Sequence, residues 1–216
     1  MGKITLWGRA NSANVQKTMW ALEELGLDYE HVPLGGPYKG LDNPAYLALN
    51  PNGLVPTLQD GDLTVWESHA TVRYLAGAYG AGTLWPQDAR ERAIADQWTD
   101  WTATTYQPAW VKVFWSAVRT PVEQQDPVVI ADGLAATGKC LAILDRQLET
   151  RPFLAGGSLT YADIVAGVSL YRWFTMQIER PAAPNVERWY ERLTERDAFR
   201  KVVMVSYAEL VGRLAF

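Results

Sequence analysis

Apolar and polar positions change their rhythm twice along this chain, and the changes outline its architecture. Lys3–Trp7 ("KITLW") alternates and is rich in strand formers, so it reads as a short strand. A loop of small polar residues, Gly8–Asn14 ("GRANSAN"), follows. From Val15 the period becomes helical, with Val15, Met19, Leu22 and Leu25 on one face and Gly26 as the stop. Tyr29–Leu34 is a second strand, with Pro33 marking a strand end or edge. Asn43 caps a short helix that has Pro44 at its first position. Val55–Gln59 and Leu63–Trp66 alternate about an Asp-Gly turn and form a hairpin. From Glu67, "ESHATVRYLAGAYG" is an amphipathic helix closing on glycine. The order βαβαββα predicts a mixed four-stranded sheet with helices on its faces.

Gly80–Asp88 is rich in glycine and proline and reads as a linker. Beyond it the pattern is helical throughout. Ala89–Val118 forms one long stretch, expected to bend where Pro108 removes a backbone donor. Pro127–Thr150 forms another. At "SLTYADI", Thr160 has the place of an N-cap and Asp163 that of the acid reaching back to it, with Leu159 and Ile164 as the apolar staple. Helices over Asn185–Glu195 and Asp197–Val203 end the chain. The expected organisation is residues 1–80 as an α+β domain, 81–88 as linker and 89–216 as an all-α helical bundle.

Composition narrows the possible functions. The 216 residues are 48% apolar, enough for a substantial core, and the net charge is −4. That charge gives no basic excess to attract nucleic acid or an anionic membrane. Cys140 is the single cysteine, which excludes an intramolecular disulfide and Cys-x-x-Cys chemistry. With two histidines, His31 and His69, a structural metal site is not expected. "MGKITLWGR" lacks a signal-peptide layout, and no apolar run approaches the roughly 20 residues of a membrane span. A soluble cytoplasmic protein is the expectation. Ten tryptophans are many for this length, and those of Trp98–Trp115 cluster; they suit a helical core or an apolar pocket.

Two features of "NPNGLVPTLQDGDLTVWES" point to a ligand. Val55-Pro56 opens a strand, and X-Pro is the peptide that adopts the cis form most cheaply. A cis bond there leaves the Val55 N–H and C=O free to pair with an extended ligand, whereas a trans bond would make it an ordinary edge-strand proline. Glu67-Ser68 opens a helix, where unsatisfied N–H groups and the macrodipole favour an anion. Ser68 suits a carboxylate and Glu67 an ammonium, together the two ends of one α-amino acid; simple capping is the other account.

"NPNGLVPTL", "LTVWESHATVRYL" and "SLTYADI" together resemble the cytosolic glutathione transferase family over essentially the whole chain. The resemblance implies a thioredoxin-like first domain, a helical second domain and a homodimer. It implies that Val55 and Pro56 hold the cysteinyl backbone of glutathione, that Glu67 and Ser68 hold its γ-glutamyl end, and that Lys39 meets its glycine carboxylate. Conjugation needs the thiolate, and lowering a thiol pKa of ~8.5 by ~2 units supplies roughly 2.7 kcal/mol. Trp7 stands near the position where some members carry the activating tyrosine and has no hydroxyl, while Cys140 lies in the helical half. Ser12 is thus the expected activator, in a "SAN" segment similar to the Ser-x-Pro of serine-type, theta-like members. Asn14 departs from that pattern, and Asn11 and Asn14 offer amide donors as alternatives. Ser12 as a plain N-cap is the bland account. Trp101, Tyr106 and Trp110 are the expected wall of a pocket for a small hydrophobic electrophile. His31 is expected to carry no catalytic weight and His69 to lie at the surface or an interface. Conjugation leads this reading; glutathione-dependent disulfide reduction through the Asn-rich loop, and a non-catalytic binding module, are its rivals.

Overall fold

In the computed structural model, which describes residues 2–215, the chain builds one mixed sheet and ten helices among the described residues. Met1 and Phe216, the outer limits of the two expected domains, lie outside the described residues. The strands are β1 (Ile4–Trp7), β2 (Tyr29–Val32), β3 (Thr57–Asp60) and β4 (Leu63–Trp66), in the order β2-β1-β3-β4. β1 runs parallel to β2 and antiparallel to β3, and β3 is antiparallel to β4. The parallel pair is the one joined through a helix, α1 (Ala13–Glu24), and the antiparallel β3–β4 pair is joined by the Asp-Gly turn. α2 (Pro44–Leu47) is capped by the Asn43 side chain, which accepts from Ala45 N at 2.9 Å. α3 (Ser68–Tyr79) packs on α1, where the Thr18 and Thr71 hydroxyls meet at 2.7 Å. The expected element order and type therefore hold over this half.

The second half contains α4 (Ala89–Trp101), α5 (Gln107–Phe114), α6 (Pro127–Gln147), α7 (Tyr161–Gly167), α8 (Leu170–Thr175), α9 (Pro184–Thr194) and α10 (Asp197–Val202). α4 and α5 form a continuous rod through a π-helical turn at Thr102–Tyr106, and a second one at Trp115–Arg119 ends it. Pro108 does not break the rod. Its missing N–H leaves the Thr104 carbonyl without the usual partner, and the wider turn just ahead of it absorbs the mismatch.

α6 differs from expectation. It is 21 residues long with a mean hydropathy of 1.6 over its most apolar window, enough in length and composition to cross a membrane. Here it packs against α5 and α9 and seats Cys140, Leu141 and Leu144 in the core. Small residues such as Gly133 and Gly138 make this run look less continuous in sequence than it is. Gly133 has a packing reason: a Cβ there would stand 3.0 Å from Val113 Cγ2.

The two halves are closely joined. Trp20 of α1 is fully buried, with its ring edge-on to Phe199 of α10 at 4.8 Å. Arg196 grips Glu24 with two nitrogens, and Arg73 of α3 bridges Asp96 and Asp100 of α4 at 2.8 and 2.7 Å. Burial of the aromatic rings contributes across this junction, whereas the partly exposed Arg73 ion pairs contribute only about 0–1 kcal/mol each.

Candidate functional site

The register of the sheet gathers the site. Trp7 pairs with Val32 and with Thr57, and Thr57 pairs with Trp66. The end of β1, the start of β3 and the end of β4 therefore lie side by side at one end of the sheet. From that end leave the Gly8–Ser12 loop, the Val55-Pro56 segment and the Glu67-Ser68 corner. Gly8 is held at φ +143°, and a Cβ there would stand 2.4 Å from Val15 Cγ2 and 3.1 Å from Val55 Cβ. Only glycine lets the loop pass this close to α1 and Val55.

The Val55-Pro56 peptide is cis, the less common of the two forms considered from the sequence. Val55 is half-buried, and its N–H and C=O make no backbone hydrogen bond among the described residues. Glu67 has φ +71° and ψ 117°, an unfavourable region for a residue with a Cβ. It occupies the N-cap position of α3 without capping it by its side chain, so its exposed carboxylate is left facing outward. Ser68 is buried, and its Oγ reaches Asn14 Oδ1 at 3.4 Å. Ser12 sits at the N-cap position of α1, yet its hydroxyl makes no capping bond. The plain-cap account of Ser12 therefore fails on geometry.

Lys17 is the group that sequence reading missed. It is 1% exposed, and its Nζ donates to Asn14 Oδ1 at 3.0 Å, to Ser68 Oγ at 3.3 Å and to Gln107 Oε1 of α5. It also lies 2.9 Å from His69 Nε2. Burial pulls the Lys17 ammonium down to about 7, against the raising influence of Glu67. Burial, and then Lys17 itself, pull His69 down to about 3, so His69 is neutral at physiological pH. His69 is half-buried, with its ring nitrogen against Lys17, rather than a fully exposed surface group. The sequence did carry a signal: Asn14, Lys17 and Thr18 form a polar i, i+3, i+4 stripe on a helix otherwise buried.

The other candidates divide. Asn14 has its side-chain oxygen committed to Lys17, Ser68 and Gln107, which leaves its NH₂ as the outward donor. Asn11 corrects the expectation of a thiol donor. It is buried, and its NH₂ is taken by the Glu209 carboxylate. Lys39 is exposed at φ 56°, just after the turn Gly36–Tyr38, and its side chain makes no hydrogen bond to this cluster among the described residues.

Beside Ser12 opens a cavity of about 200 Å³, whose walls include Asn14, Gln107, Trp110, Phe114 and Trp115. Of the three aromatic residues expected at a pocket wall, Trp110 lines this cavity. Tyr106 and Trp101 do not. Tyr106 is fully buried with its hydroxyl 2.8 Å from Ser169 Oγ, and Trp101 stacks on it with ring centroids 5.9 Å apart. The π-helical turn adds a residue to the rod and changes which face Tyr106 presents. Three arginines also border this cavity, Arg9, Arg119 and Arg172. None was foreseen, because they are far apart in sequence and buried arginines are rare.

Comparison with known proteins bears on the family and the fold. Residues 2–77 match the family profile for the glutathione S-transferase N-terminal domain, and residues 127–192 match that for the glutathione S-transferase C-terminal domain. The chain is 42% identical over 205 residues to glutathione S-transferase GstB of Escherichia coli K12, covering 94% of this chain and 98% of that protein. It is 32% identical over 206 residues to glutathione S-transferase 1 of Zea mays, covering 94% and 96%. A solved theta class glutathione S-transferase from the citrus canker pathogen Xanthomonas axonopodis pv. citri, with glutathione bound, superposes with a TM-score of 0.91 at 48% identity, over 95% of this chain and 99% of that one.

Proposed function

The chain belongs to the glutathione S-transferase family, and from that premise we propose that it binds glutathione along the shared sheet end and activates its thiol with Ser12. It is a glutathione transferase with a thioredoxin-like first domain and a helical second domain. In this reading Val55 pairs through its backbone with the cysteinyl unit, and Pro56 shapes that segment. Glu67 receives the γ-glutamyl ammonium, and Ser68 at the start of α3 receives the γ-glutamyl carboxylate. The Ser12 hydroxyl, with the Asn14 NH₂ beside it, donates to the sulfur and favours the thiolate. The thiolate then attacks an electrophile held against Trp110. Lys39 is the candidate for the glycine carboxylate. The observation that carries this reading is the convergence of Val55, Glu67-Ser68 and Ser12 at one sheet end, with the Ser12 hydroxyl free of capping.

Retention on immobilised glutathione, followed by assays with 1-chloro-2,4-dinitrobenzene and with hydroxyethyl disulfide, separates conjugation from disulfide reduction. Retention without turnover of either substrate would leave a binding module. Glu67→Gln is expected to raise the KM for glutathione about tenfold, because it removes one charge-assisted contact, with kcat within a few-fold of wild type. An unchanged KM in steady-state kinetics would remove Glu67 from the site.

A chain with one cysteine fits the reducing cytoplasm as its place of action. We also place it in a homodimer. Leu63 and Trp66 of β4 and Ile94 of α4 are exposed apolar residues, at 43%, 39% and 38% of their full areas. Sedimentation equilibrium should give twice the chain mass, and Trp66→Glu should shift it toward one chain. A wild-type protein that sediments as a monomer at micromolar concentration would overturn this assignment.

A further inference from the structure

The buried ammonium of Lys17 lies against Ser68, the proposed carboxylate site, and has no acid bonded to it. Its Nζ is surrounded by four acceptors from three elements. Asn14 Oδ1 of its own helix lies at 3.0 Å, and Ser68 Oγ and His69 Nε2 of α3 lie at 3.3 and 2.9 Å. Gln107 Oε1 of α5 is the fourth. An ammonium has three donors, so these acceptors satisfy its hydrogen bonds but not its charge. Among the described residues no carboxylate forms an ion pair with Lys17.

The charged groups around it leave this imbalance in place. Glu67, at the N-cap of α3, is exposed and acts on Lys17 only through its field. Arg73, further along α3, is committed to Asp96 and Asp100 of α4. His69 is neutral, because burial and then Lys17 lower it to about 3. α1 and α5 present only the amides of Asn14 and Gln107. Burial therefore outweighs Glu67, and the ammonium falls to about 7. A buried charge without a counter-ion is costly, and an arriving anion relieves that cost. The Ser68 hydroxyl accepts from Lys17, and its own bond to Asn14 Oδ1 is long, at 3.4 Å, so its proton is free to turn to a ligand. A carboxylate taking that proton would stand within about 6 Å of Nζ, close enough to favour the charged amine.

We propose that Lys17 is the counter-ion of the γ-glutamyl carboxylate of glutathione: it positions that carboxylate through Ser68, and its amine takes up a proton as glutathione binds. The proposal rests on the reading that Ser68 receives the γ-glutamyl carboxylate, and it adds a residue and a proton to that same contact. Lys17 is a positioning residue, since it reaches the ligand through the Ser68 hydroxyl. The proton comes from solvent and goes to the nitrogen lone pair, and no covalent bond of glutathione changes.

S-Methylglutathione tests this, because it keeps the carboxylate but has no thiol proton to release. Calorimetric titration in buffers of different ionisation enthalpy counts the protons exchanged on binding. The wild type is expected to take up about half a proton at pH 7, and its Kd for S-methylglutathione should rise about tenfold from pH 6 to pH 8. Lys17→Met should exchange almost no protons. Its Kd should be flat across that range and no lower than the wild-type value at pH 8. Lys17→Arg, charged at every pH used, should restore the affinity seen at pH 6 and lose the pH dependence. A merely structural lysine would instead give Lys17→Met the same loss of affinity at every pH. Thermal melts report whether each variant is folded, and the wild-type proton count and Kd profile carry the test should neither fold. Binding without proton uptake, or with uptake that persists in Lys17→Met, overturns the proposal and leaves glutathione binding intact. Failure of the wild type to bind S-methylglutathione, or an unchanged Kd in Ser68→Ala, overturns the reading beneath it, and the proposal with it.

Discussion

Asp163→Ala is expected to cost about 3 kcal/mol of stability, because two buried backbone donors lose their acceptor at about 1–3 kcal/mol each. In the native protein the carboxylate accepts from Leu154 N at 2.9 Å, from Thr160 N at 2.9 Å and from Thr160 Oγ1 at 3.1 Å. It is fully buried, and it fixes both the start of α7 and the loop that approaches it. For a chain of this size the melting temperature should fall by roughly 6–12 °C. The sign of the pH dependence is also fixed. Burial raises the Asp163 carboxyl from 3.8 to about 6, despite the hydrogen bonds that lower it. The folded state therefore holds this proton between about pH 4 and 6, where the unfolded chain has released it. Its contribution to stability is fully present below about pH 4 and declines as pH rises to about 6. Melts of wild type and variant across that range should show the wild-type advantage shrinking as pH rises. A constant difference would mean that Asp163 is ionised throughout.

The second large effect is expected at Ser12. Ser12→Ala should raise the pKa of bound glutathione thiol by ~2 units and lower the conjugation rate near pH 6.5 about a hundredfold, since each unit is worth about 1.4 kcal/mol. Ultraviolet titration of the thiolate in the binary complex reads this directly. Glutathione affinity should change little, because Val55, Glu67 and Ser68 lie on other elements. An unaltered thiol pKa in Ser12→Ala, together with a raised one in Asn14→Ala, would move the role to the amide.

What the sequence showed and what it hid have a common physical origin. Hydrophobic period and turn residues are local, so β4 at Leu63–Trp66, the Asn43 cap and the Thr160–Asp163 pairing could be read directly. The βαβαββα order followed from the same signals. The backbone settings of Ser12, Val55, Glu67 and Ser68 were legible because they carry local marks: a loop before a helix, an X-Pro strand start, a helix N-terminus. The π-helical turn left no such mark, so Tyr106 was assigned to the cleft when it packs on Ser169. Arg9, Arg119 and Arg172 become one feature only after folding, as nothing in their spacing predicts that they meet. Lys17 was hidden by a general rule, that lysines stay in water, which this site breaks.

The Lys17 ammonium has a consequence for how far the first domain is self-sufficient. Its partners come from the start of α1, from the start of α3 and, through Gln107, from the helical half. A fragment ending near residue 80 would keep all of the proposed glutathione contacts yet open the enclosure around that ammonium. Freed to hydrate, Lys17 would release Asn14 and Ser68 from their shared arrangement. In the proposed reading the tripeptide site is thus not a property of the thioredoxin-like half alone; the two halves must be docked before the Lys17 enclosure beneath it is complete.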